Sequence, residues 1–141
     1  MDHTAFRVVP MHVARNPVAR AINAARLRDA VNEFRATRIA LLLDGDDAGG
    51  DVHTGVHLLT VCLMAMAIAG FGEHDGVPQM QAGQRALIAC AGRGNKWLQA
   101  DAPVVDEALL CALDLYPQLD ARVVAKAWKK LHEMQLAGAR A

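Results

Sequence analysis

Fourteen consecutive positions, Val56 to Ala69 (VHLLTVCLMAMAIA), carry no charged residue and only two polar ones, His57 and Thr60. At 100° per residue, Leu58, Leu59, Val61, Cys62, Leu63, Met66 and Ile68 point in nearly every direction. A helix apolar on all sides is buried in a larger protein or spans a membrane. A span needs roughly 20 apolar residues, whereas 10 to 14 suit a buried helix. Asp51 precedes the stretch and Glu73 and Asp75 follow it, with no Lys or Arg near either end. Positive flanking charge is what usually orients a span. The pattern predicts a buried central helix over 52–69, wrapped by other helices.

The flanking segments show the narrower stripe of amphipathic helices. Asn16-Pro17 is a helix start, because Asn accepts a bond from an orphan amide and Pro at the first position loses none. From there to about Leu43, Ala24, Leu27, Ala30, Val31, Phe34, Leu41 and Leu42 fall in one arc, with Arg26, Asp29 and Glu33 opposite. Val18 and Ile22 lie off that arc. The acidic run 44–50 (DGDDAGG) ends this helix. Gly70-Phe71-Gly72 stops the central one. Pro78 opens a third helix to about Gly92, in which Met80, Leu87 and Ile88 are the only large apolar residues. Ala82, Gly83, Ala86, Ala89 and Ala91 give it a smooth surface. Asp101-Ala102-Pro103 opens a fourth, with Val105, Leu109, Ala112, Leu113 and Tyr116 as its stripe. Asp120 caps a fifth over 121–137, where Val123, Val124, Ala127, Trp128, Leu131 and Met134 face inward. Residues 1–15 have no helical period; Phe6, Val8 and Val9 suit an extended arm that Pro10 interrupts. The expected fold class is all-α: one compact bundle of about five helices around the central helix, as a single domain 1–141 with 1–15 as the arm.

Composition supports that class. Alanine, the best helix former, makes up about a fifth of the 141 residues, and 53% are apolar. β-Branched and aromatic residues never alternate as strands require. Net charge is zero but uneven: residues 1–43 hold seven Arg against three acids, 44–81 hold six acids and no base, and 82–141 hold eight bases against six acids. The neutral total argues against a nonspecific nucleic-acid binder. Cys62, Cys90 and Cys111 each sit among apolar residues, and three without paired spacing do not make a disulfide framework. Buried thiols in a reducing cytoplasm are expected. Residues 1–15 lack the apolar region of a signal peptide.

Candidate chemistry is sparse. His53 and His57 share a helix face at i, i+4, the spacing of two metal ligands in H-E-x-x-H sites, but no Glu lies between them. A third ligand would come from Asp51, Glu73, His74 or Asp75. The alternative is that His53, His57 and Thr60 form the least apolar line of the central helix and reach the surface. The acidic loop fails as a calcium loop: from Asp44 the fifth position is Ala48 and the twelfth Gly55. Gly92-Arg93-Gly94 is too short for a phosphate loop, leaving Arg93 and Lys96 as a minor anion site. Helices 104–116 and 121–137 resemble a helix–turn–helix by connectivity, and Arg122, Lys126, Lys129 and Lys130 would meet phosphates. One Tyr and two Trp are too few for a base-stacking platform. Nothing implies a cofactor.

Ala82-Gly-Gln-Arg-Ala-Leu87, Trp97 after a Gly turn, Glu107-Ala-Leu109 and Gln118-Leu119 resemble segments of small, Ala-rich, functionally uncharacterised helical proteins of proteobacterial genomes and their prophages. The resemblance spans residues 64–119. It implies a cytoplasmic helical protein without assigned catalytic residues, and it leaves His53 and His57 outside.

The leading expectation is a noncatalytic binding or regulatory module acting through protein contacts. A DNA-binding regulator using the pair 104–116/121–137 is the alternative, and a metal-dependent enzyme at His53/His57 the third. A homodimer is expected, because Val18 and Ile22 lie off the inward stripe and two-fold pairing is the commonest remedy for such surfaces; a monomer that tucks the first turns under the N-terminal arm is the competing case. Its protein partner beyond that is unknown, and no membrane is involved.

Overall fold

A computed structural model describes residues 17–44, 49–94, 96 and 98–140. The expected N-terminal arm, Trp97 and the centre of the acidic run lie outside them. Five α-helices follow in order: α1 (Pro17–Asp44), α2 (Gly49–Ile68), α3 (Val77–Gly92), α4 (Asp101–Leu115) and α5 (Ala121–Arg140), with a 3-10 turn (Tyr116–Gln118) before α5. The chain is all-α, and no strand occurs among the described residues. No described helix is long and apolar enough to cross a membrane.

Local chemistry sets the ends. α2 stops in a Schellman turn: Gly70 takes φ +85°, Phe71 N–H donates to Met66 O at 2.8 Å, and Gly70 N–H donates to Ala67 O at 3.1 Å. Only glycine adopts that φ without strain. α5 begins where the Asp120 carboxylate accepts a bond from Arg122 N–H at 2.8 Å, satisfying one orphan amide. α2 starts three residues before the expected Val52, through Gly49 and Gly50, so the break after α1 is shorter than the acidic composition suggested.

α2 packs against all four other helices, as its apolar surround requires. Val52, Leu58, Leu59, Val61, Cys62, Ala65 and Met66 are buried. One line stays at the surface: His53 is exposed, His57, Thr60, Leu63 and Met64 are half-buried, and Ala67 is exposed. It runs between α3 and α5, which pack on α2 but scarcely on each other. Gln84 Nε2 on α3 donates to Thr60 Oγ1 at 2.7 Å, and Gln135 on α5 reaches His57. Leu63, expected at the core, therefore belongs to its margin.

α1 buries Ala30, Phe34, Thr37 and Leu41. No described residue before Ala30 is buried, so Ala24 is exposed; Leu42 is exposed as well. Along α1 full burial is confined to the line Ala30–Leu41, with half-buried Leu27 and Val31 packed at the edge of the core. Met134 on α5 is likewise exposed beyond Leu131. Arg38 Nε pairs with Asp106 Oδ1 at 2.6 Å, tying α1 to α4. α3 and α4 approach most closely, where buried Gly83 faces Ala108 and the Val104 carbonyl.

Candidate functional site

His57 Nε2 lies 3.1 Å from Gln135 Nε2, so the amide donates to the ring nitrogen that a metal would take. His53 is exposed one turn earlier. Of the suggested third ligands, Glu73, His74 and Asp75 lie past the far end of α2. Eleven residues separate His57 from Ile68, ~17 Å at 1.5 Å per residue. His74 Nδ1 accepts a bond from Gly76 N–H at 3.0 Å instead. Nothing is described for the Asp51 side chain. Among the described residues, no three His, Cys, Asp or Glu side chains meet as a metal site would require.

The basic strip is present. Lys126, Lys129 and Lys130 are exposed and Arg122 half-buried. Its setting differs from a helix–turn–helix unit, whose two helices form one module. Here α4 packs chiefly on α3, α5 packs on α2 and α1, and α4 and α5 barely touch. Arg93, weighed above as an anion ligand, donates to Asp101 Oδ2 at 2.8 Å and to Lys96 O at 3.3 Å. Leu98 N–H donates to the same Asp101 oxygen at 2.9 Å, so these groups hold the α3–α4 connection.

Nucleophiles are withheld. Cys62, Cys90 and Cys111 form no disulfide, and all three are buried. Burial, with a smaller contribution from Cys111, pushes the Cys62 thiol far above its ordinary value. Burial first, then the carboxylates of Asp114 and Glu107, pushes Cys111 up to about 11. Burial also raises the Tyr116 phenol. Near neutral pH the thiols of Cys62 and Cys111 stay protonated and unreactive. Tyr116 is structural: Trp128 Nε1–H donates to its hydroxyl at 3.0 Å, and the Phe34 ring meets it edge-on at 5.2 Å, joining α1 to α5.

Among the described residues the surface is largely made of helix faces and the open grooves between them. Between α1 and α5 lies an open groove of about 330 Å³, lined by Arg26, Asp29, Glu33, Val124 and Trp128 among others. The outward face of α1 is more distinctive. Val18, Ile22, Ile39 and Leu43 are exposed by 66, 48, 53 and 78%. Sequence reasoning singled out the first two and missed that Ile39 and Leu43 continue them. A search for a 3.5-residue period on the side away from the core stripe would have found all four. No family model, curated protein or solved structure matches the chain.

Proposed function

We propose that this protein is a noncatalytic binding or regulatory module that acts through protein contacts, with a second copy of itself as the first partner. The exposed apolar face of α1 carries the reading. Single exposed apolar residues are ordinary on a protein surface, but an aligned set marks an interaction site. The buried cysteines, none of them in a disulfide, support work in a reducing compartment such as the cytoplasm. Light scattering coupled to size exclusion at micromolar concentration tests the proposal. A mass twice 15.1 kDa is expected, lost on Ile22→Asp while the far-ultraviolet circular dichroism persists. A mass of 15.1 kDa across a dilution series would end it.

A further inference from the structure

The outward face of α1 is more ordered than a scatter of apolar residues. Val18, Ile22, Ala25, Asp29, Asn32, Ala36, Ile39 and Leu43 follow one another at alternating steps of four and three. That is the spacing of a coiled-coil seam. At 100° per residue the strip lies about 140° around the helix from the buried line Ala30–Phe34–Thr37–Leu41. All of its members are exposed except Ala25, which is half-buried. Large apolar residues stand at both ends, alanines one step in, and a polar pair at the middle.

The spacing is the same from either end. We infer that α1 pairs with α1 of a second copy, antiparallel about a two-fold axis near residues 30 and 31. Ile22 then meets the other copy's Ile39, Ala25 its Ala36, and Asp29 its Asn32. Leu43 meets Val18 at the ends. The alanines allow the backbones to approach, and each Asn32 amide donates to an Asp29 carboxylate. A polar pair inside an apolar seam fixes register and orientation, because any shift strands it against apolar neighbours. Parallel pairing would instead set the two Asp29 carboxylates against each other.

The flanks bear on orientation too. On the α5 side, Arg26 of one copy faces Glu33 of the other, twice by symmetry. Both are exposed, and neither forms an ion pair among the described residues. On the opposite side Arg28 faces Arg35, and these exposed side chains are long enough to turn into solvent.

This pairing rests on the proposal that the chain works through protein contacts, and one experiment separates the two. The dimer dissociation constant is measured by analytical ultracentrifugation for the full chain and its variants. Ile22→Lys alone and Ile39→Asp alone should each weaken the dimer by roughly 100-fold or more, since each change enters the interface twice. The double variant should recover to within about tenfold of the parent, because Lys at 22 then meets Asp at 39 of the other copy. In a parallel dimer the double variant would set like charges together and stay dissociated. As a second measure, Ala25→Cys combined with Ala36→Cys should yield a covalent dimer on mild oxidation, while either change alone should not. A parental dimer with neither rescue nor cross-link would overturn the antiparallel seam and leave the contact module standing. A parental monomer, its α1 face bare or covered from within the chain, would overturn both.

Discussion

Gly83→Ala opposes two effects of known sign at the closest point between α3 and α4. In an isolated helix, alanine in place of glycine stabilises by roughly 0.5–1 kcal/mol. Here the new methyl would overlap Ala108 Cβ and would also lie 3.5 Å from Val104 O and 3.6 Å from Ala108 Cα. Those neighbours are backbone atoms and a Cβ, so no rotamer change relieves the overlap and the helices must separate. Overpacking of this kind costs about 1–3 kcal/mol, and a site without an escape belongs at the upper end. The net expectation is a loss of about 1–2 kcal/mol, read as a lower urea midpoint at unchanged slope. Ala108→Gly should also destabilise, by about 1–2 kcal/mol of helix propensity and lost burial. The exchange Gly83→Ala/Ala108→Gly moves the methyl across the interface and should return to within about 1 kcal/mol of the parent, a strongly non-additive cycle. A higher urea midpoint for Gly83→Ala, or a double variant as unstable as the sum of the singles, would refute the close approach.

Two further outcomes follow from burial. Leu59→Ala, at a fully buried position of α2, should cost about 2–5 kcal/mol, whereas half-buried Leu63→Ala should cost less than about 2 kcal/mol; equal losses in urea denaturation would contradict the placement of the open line between α3 and α5. Stability should also fall on the alkaline side. The Cys111 thiol ionises at 9.0 when unfolded and about 11 when folded, so the unfolded state loses its proton first. The contribution is complete below pH 9 and is lost as pH rises toward 11, with Cys62 and Tyr116 shifted in the same direction. A urea midpoint flat from pH 8 to 11, or one whose fall is unchanged in Cys111→Ala, would show that ionisation of Cys111 is not resisted.

Features that depend on neighbouring residues were legible in the chain itself. Asp120 at the start of α5 and Gly70 at the end of α2 are cases where one residue type has the right chemistry for one backbone position. The all-round apolar character of α2 likewise required neighbours on every side. What could not be read was which helix meets which. α4 and α5 are joined by a short turn that invites pairing, yet α4 lies on α3. Small residues at Gly83 and Ala108 let those two backbones approach more closely than side chains of ordinary size allow. Ala-rich composition announced that close packing would occur somewhere, but composition carries no address.

The histidine pair illustrates a second limit. Two His at i, i+4 pose the same spacing whether they await a metal or line a seam, and only the packing of α3 and α5 distinguishes the cases. Gln84 on Thr60 and Gln135 on His57 show polar side chains of one helix answered by polar side chains of the next.

α1 was hard to read for a third reason. It carries two apolar lines about 140° apart at 100° per residue, one ending on Phe34 and Leu41 in the core and one on Ile39 and Leu43 in solvent. Summed around the helix, two such lines blur the single stripe that a pattern search seeks. The broad arc drawn through the apolar residues therefore reached out to Ala24 and Leu42 and left Val18 and Ile22 unexplained. α5 keeps its apolar residues on one side through Leu131, and its inward face is correspondingly plain in the sequence. A helix whose hydrophobic pattern resists assignment to one face has a physical cause to look for, and in α1 that cause is a second face.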